Sequence, residues 1–159
     1  MNAAPAFLVD ASLAGLGRWL RLLGFDTLVY TGEAGRPMMK MALEDHRILL
    51  TRRFDMRARQ FSGRLVLVPE ASVGFQLRFV LDKLGLAVRR NQMYRLCVLC
   101  NAPVRPIPVE EARDRVPTYV FQHCRLFHIC DQCGKIYWRG THPRNAERFL
   151  RDNGIPLDD

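Results

Sequence analysis

Two pairs of cysteines constrain this chain more than any other feature. Cys97-Val-Leu-Cys100 and Cys130-Asp-Gln-Cys133 repeat one two-residue gap and stand 29 residues apart. The gap lets both thiolates of a pair face one ion while nearby backbone amides offset their charge. Two such pairs have the spacing of a tetrahedral, four-thiolate Zn2+ ribbon. Four sulfurs close the coordination shell, so the zinc is expected to be structural. A redox site needs only one such pair, in a strand–helix setting. Cys124 lies between the pairs. It reads either as an alternate ligand, with His123 or His128, or as a buried apolar thiol.

Upstream of the cysteines the pattern changes. Short apolar runs alternate with stretches of helical spacing. "AFLVD", "FDTLVY", "RILLT" and "RLVLVP" read as strands. "SLAGLGRWLRLLG" reads as a helix with Ser12 as its cap and Gly24 at its end, and "RPMMKMALEDH" as one with Pro37 near its start. "FDMRARQF" looks like a polar helix, and "SVGFQLRFVLDKLG" like a long one stopped by Gly85. The order βαβαβαβα calls for an α/β fold, a parallel sheet flanked by helices. Its sites are expected at the C-terminal ends of the strands. The expected units are an α/β domain over 5–90, the zinc ribbon over 94–142, and a short terminal helix and tail over 143–159.

Charge narrows the partner. The chain carries a formal +8, and all but three of its 24 basic residues are arginine. The surplus is +6 before residue 94 and +2 after it. Arginine pairs with phosphate through a planar fork and stacks on bases, which points to RNA or DNA; a GC-rich genome would give the same bias. Arg18 and Arg21 are three apart on the first helix, and Arg52, Arg53, Arg57 and Arg59 follow the third strand. Together they form a candidate phosphate track, with a solvated basic face as the plain alternative. In the ribbon, Tyr137 and Trp138 with Arg139 and His142 offer a stacking edge for unpaired bases, with Trp138 as an anchor between the two units the alternative. No apolar run is long enough for a membrane span, and the start lacks the features of a signal peptide. The expected location is cytoplasmic, with no membrane partner.

Asp10 ends the first strand, where it serves equally as a helix cap or as a metal-facing carboxylate. "FLVDASLAGLGRWLRLLGFDTLVY", "EDHRILLTRR" and "CVLC…CDQCGKIYWRGTH" settle the context. From Phe7 to His142 the chain resembles the bacterial Mut-seven C-terminal ribonuclease domain family, a PIN-like α/β domain followed by a zinc ribbon. The R-W-L-R-L-L-G segment from Arg18 and the W-R-G-T-H segment from Trp138 are the most specific parts of the match. The resemblance implies an RNA nuclease in which several carboxylates hold Mg2+ or Mn2+ to activate water against a phosphodiester. Asp10 matches the first-strand aspartate of that pattern.

The remaining positions depart from it. Members carry acidic residues at the start of the second helix, about Ala34 to Pro37 here, and Glu33 is the nearby carboxylate. Members read L-T-R-D after the third strand; this chain reads "LLTRRFD", with Arg53 in place of the aspartate and Asp55 two residues on. Two expectations follow. Asp10, Glu33 and Asp55 form a catalytic site with Thr51 in support, and the protein is a metal-dependent endoribonuclease. Alternatively the site is degenerate, and the protein binds RNA or a ribonucleoprotein without cutting.

Overall fold

The computed structural model describes residues 3–139 and 142–159, without the side chains of His142 and Pro143. Four strands, β1 (Phe7–Asp10), β2 (Thr27–Tyr30), β3 (Ile48–Thr51) and β4 (Leu65–Leu67), form one parallel sheet in the order β2-β1-β3-β4. Helices α1 (Ala14–Leu22), α2 (Arg36–Glu44) and α3 (Val73–Leu84) connect and follow them. The α/β expectation is met.

Strand alternation decides which helix covers which face. Phe7, Val9, Ile48 and Leu50 point to one face, where Leu13, Leu16, Leu20, Leu77 and Val80 cover them. Leu8 and Leu49 point to the other and meet Met38, Met39, Ala42 and Met56. Both faces are therefore buried, and the order in which strands are added reverses at β1, with β2 on one side of it and β3 on the other. That reversal places the ends of β1 and β3 side by side at the topological switch point.

Two local expectations need correction. Ser12 does not cap the first helical stretch. Asp10 accepts from the Ser12 backbone N–H at 2.9 Å and also from its hydroxyl, so the strand's last residue is the cap. The segment after β3 is one 3-10 turn, Phe54–Ala58, in which only Met56 is buried. A single apolar anchor gives no stripe to hold a longer helix against the sheet. The other helix ends follow their sequence signals: Ser72 accepts from the Phe75 N–H, and Gly85 closes α3 at φ 63°.

Beyond β5 (Val88–Arg89), strands β6 (Val104–Ile107), β7 (Phe127–Cys130) and β8 (Ile136–Trp138) form an antiparallel sheet, with the short helix α4 (Thr118–His123) inserted between β6 and β7. Its small core contains Ile107, Phe127, Ile129 and Ile136. Helix α5 (His142–Asp152) then returns to the first unit, burying Ala146 and Leu150 and stacking Phe149 on Trp19 at 4.0 Å. Strand β9 (Leu157–Asp158) pairs in parallel with β5. No described helix is long and apolar enough to cross a membrane.

The junction between the two units is polar. Arg21 donates to Thr27 O at 2.7 Å and to Val98 O at 3.0 Å. Asn101 donates to Asp26 at 2.6 Å and accepts from the Thr27 N–H at 2.9 Å. Arg21 was expected on a phosphate-facing surface with Arg18. It is instead buried beneath the first cysteine pair, because its guanidinium satisfies two carbonyls that the junction removes from water. Arg18 is exposed.

Candidate functional site

At the switch point, Asp10 is almost fully buried and both of its carboxylate oxygens are engaged. Oδ1 accepts from Ser12, and Oδ2 accepts from the Thr51 hydroxyl at 2.7 Å. Thr51 is fully buried, and its oxygen also accepts from the Arg53 backbone N–H at 3.1 Å. Thr51 therefore links the ends of β1 and β3.

Arg53 dominates the surface above this pair. Its guanidinium forks onto Asp55, with Nε donating to Oδ1 at 3.1 Å and Nη2 to Oδ2 at 2.9 Å, while Nη1 donates to Ala34 O at 2.6 Å. Arg59 approaches the same carboxylate at 3.8 Å. The Arg53 bonds hold the Asp55 carboxyl below the usual carboxylate range. Asp55 in turn raises the Arg53 guanidinium above its ordinary value, with lesser help from Glu33 and Asp10. Arginine and carboxylates thus share one electrostatic neighbourhood.

The carboxylates as placed do not fit a divalent ion. Mg2+ demands near-octahedral oxygen coordination with carboxylate donors free to reach it. Both Asp10 oxygens are engaged by hydroxyl and amide donors, Asp55 is paired with arginine, and Glu33 is exposed. Among the described residues, Asp10, Glu33 and Asp55 do not gather into a metal-binding group. Arg52 and Arg57 are exposed beside Arg53.

The cysteines do gather. The Sγ atoms of Cys97, Cys100, Cys130 and Cys133 all lie within 4.8 Å of one another. Cys97 and Cys133 are 3.7 Å apart, and Cys100 and Cys130 are 3.3 Å apart. A tetrahedral site with Zn–S near 2.3 Å needs sulfurs about 3.8 Å apart, so the cluster fits that ion closely.

The two cysteine turns are built alike. Asn101 N–H returns to Cys97 O at 2.8 Å, and Gly134 N–H to Cys130 O at 2.7 Å. Both turn residues are left-handed, at φ 69° and 76°, which glycine adopts freely and asparagine tolerates. The turns direct backbone N–H groups at sulfur. Burial works to raise the Cys97 thiol, but the Tyr137 hydroxyl and the amides of Cys100 and Leu99 outweigh it and lower it to about 6. The Ala102 amide works to lower Cys100, yet burial and the neighbouring thiols push it up to about 12. A lone thiolate is thus favoured at Cys97, and a bound cation would replace the protons on its neighbours.

Tyr137, expected as a stacking ring, also touches the cysteine cluster, a contact the sequence did not disclose. Val98 N–H donates to its oxygen at 3.2 Å, so the hydroxyl proton is free to donate to Cys97 Sγ at 3.0 Å. Its place four residues after Cys133, on the strand leaving the second turn, is the available signal. Cys124 is not in the cluster; it is half-buried against the ribbon core, and its sulfur contacts Arg139 O at 3.5 Å. His123 Nδ1 is paired with Tyr119 O at 2.8 Å. Trp138 is half-buried against the ribbon core, and Arg139 is exposed. The His142 side chain lies outside the described residues.

A family model described as the Mut7-C RNAse domain matches residues 5–150. No curated protein and no solved structure gives a match.

Proposed function

Since the chain belongs to the Mut7-C RNAse domain family, we propose that it acts on RNA and that its sheet edge binds the phosphate backbone without cutting it. The observation that carries this reading is the Arg53–Asp55 fork at the end of β3. Phosphate presents the same pair of oxygens to the same planar fork as a carboxylate does. Asp55 therefore stands where an RNA phosphate binds. The fork is open to solvent, so a polyanion that makes several contacts at once competes with Asp55 for it. Arg52 and Arg57 extend the contact along the strand. Asp10 and Thr51 lie below and keep the edge in register. The partner is RNA, free or within a ribonucleoprotein, in the cytoplasm.

The four cysteines hold one Zn2+. Thiolate donors, sulfur spacing and converging amides all match that ion. The zinc joins the Cys97–Cys100 turn to the Cys130–Cys133 turn and fixes the ribbon on the α/β unit over 5–90.

A second reading, metal-dependent endoribonuclease, is favoured by one observation: Asp10 stays at the C-terminal end of β1, at the switch point. It requires Arg53 to leave Asp55 so that Asp55 and Glu33 can join Asp10. Labelled single-stranded RNA with Mn2+ or Mg2+ separates the two. The binding reading expects salt-sensitive binding that weakens in Arg53→Glu, and intact RNA. Metal-dependent cleavage that disappears in Asp10→Asn establishes the nuclease instead. Failure to bind at low salt removes both.

A further inference from the structure

A cleft of about 530 Å3 opens where β8 and the segment preceding the first cysteine pair face each other. That volume lies within the range of small-ligand sites. It is remote in sequence from the Arg53 edge and shares none of its residues. Tyr94 and Tyr137 line it with Trp138, and Leu22 and Met93 add apolar surface. Arg95, Lys135 and Arg139 also line it.

We propose that this cleft receives one unpaired ribonucleotide of an RNA strand, its base on the aromatic walls and its phosphates on the three cations. The inference deepens the RNA reading above and rests on it.

Three features support it. The first is that the aromatic surface is fixed before any ligand arrives. Tyr137 is locked by its hydroxyl between Cys97 Sγ and the Val98 N–H. Tyr94 is held at φ 62°, in the left-handed region that bulky residues avoid, by its N–H bond to Leu22 O at 2.9 Å. Such strain persists only where the surroundings impose it, and it occurs preferentially where a side chain must be aimed. Fixed aromatic rings stack on bases at low entropic cost.

Charge is the second. Arg90 also lines the cleft but is taken up by Glu147 and Asp159. Arg95, Lys135 and Arg139 are in no ion pair among the described residues. The cleft therefore faces an incoming ligand with a surplus of positive charge. The third is the juxtaposition of the two: the Lys135 ammonium lies over the Tyr137 ring, 5.6 Å from its centroid, so cation and aromatic surface share one wall of the cleft, with the Tyr94 and Trp138 rings beside them. A nucleotide carries its phosphate beside a planar base in the same way. A duplex keeps its bases stacked inside the helix, so the ligand is single-stranded.

The test uses the full chain, loaded with zinc, and a single-stranded oligoribonucleotide carrying one 2-aminopurine. Wild type should bind it and alter the 2-aminopurine emission, and a duplex of the same sequence should not show that change. Arg95→Glu with Arg139→Glu alters exposed side chains only. It should weaken binding at least tenfold and reduce the salt slope by about 1.4, the value for two phosphate contacts on a single strand. Tyr94→Asn removes the ring but suits a left-handed backbone; it should lose the emission change and weaken binding about tenfold. Arg53→Glu should weaken binding while the bound RNA keeps the emission change. If wild type binds RNA and the double variant binds equally well, the cleft inference falls and the RNA reading stands. If wild type binds no RNA at low salt, the RNA reading falls and the cleft inference falls with it.

Discussion

Arg53 grips Asp55 through two nitrogens, at 2.9 and 3.1 Å, while its backbone N–H donates to the Thr51 oxygen that bonds the buried Asp10. The pair balances the charge of Asp55, and on the binding reading proposed above a phosphate takes the place of Asp55 in the fork. Arg53→Asp should reverse both properties. It frees Asp55, removes a cation and adds a carboxylate at the end of β3. Calorimetry should then detect Mn2+ binding tighter than in wild type, and RNA affinity without metal should fall about fivefold or more. Unchanged Mn2+ affinity in the variant would show that the carboxylates cannot converge even without the arginine.

The strands and their order along the chain are legible because each is a short apolar run bounded by turn residues. The cysteine site is legible because a two-residue gap leaves the sulfurs few alternatives. What the sequence withheld depends on side-chain direction. Arg18 and Arg21 look equivalent at i and i+3, yet only Arg21 reaches the carbonyls of Thr27 and Val98 and is buried. Beside the family resemblance, "LLTRRFD" places Arg53 where an aspartate is expected and Asp55 two residues on, but it does not show that Arg53 folds back onto Asp55. The helical reading of "FDMRARQF" failed because propensity without an apolar stripe does not hold a helix on a sheet. Asn101 and Asp26 are 75 residues apart, and only the tertiary fold brings them together.

Tyr137 links the metal cluster to the cleft, and one atom separates the two roles. Tyr137→Phe keeps the ring but deletes the hydroxyl that donates to Cys97 Sγ. Groups that bond to metal ligands commonly change metal affinity by about tenfold or more. Wild type should therefore contain about one zinc per chain, and Tyr137→Phe should release it to a chromogenic chelator at about tenfold lower chelator concentration. Cys133→Ser should lose the metal outright. Full zinc content in Cys133→Ser would exclude the four-thiolate site.

Gly24 ends the turn after α1 at φ 93°, with the Gln92 backbone against it. An alanine there meets two penalties. The left-handed conformation costs a side chain about 1–3 kcal/mol, and its Cβ collides with the Gln92 carbonyl oxygen. That oxygen belongs to the segment leading into the ribbon, which cannot move without disturbing the Tyr94 N–H bond to Leu22 O. Gly24→Ala should lower the thermal midpoint by several degrees, at about 2–4 °C per kcal/mol. Gly85 also has a positive φ, but a Cβ there meets open space, so Gly85→Ala should cost less. Equal losses would mean that strain alone, and not the approach of Gln92, sets the Gly24 effect.

Asp26 makes the polar junction sensitive to acid. Partial burial works to raise its carboxyl, but the hydrogen bonds from Arg47 and Asn101 outweigh it and hold the group below its ordinary value. A carboxyl depressed in the folded state contributes stability that is complete above its unfolded value, near 3.9, and is lost as pH falls through the folded value. Protonation weakens the Arg47 contacts at 2.7 and 3.2 Å and the Asn101 contact at 2.6 Å. Asn101 follows Cys100 directly, so that loss loosens the first cysteine turn from β2. Acid also releases zinc from thiolates, so wild type must be compared with Asp26→Asn at each pH. The wild-type advantage in thermal midpoint should be constant above pH 5 and shrink as pH falls below about 4. A difference that stays constant to pH 3 would place the acid sensitivity elsewhere.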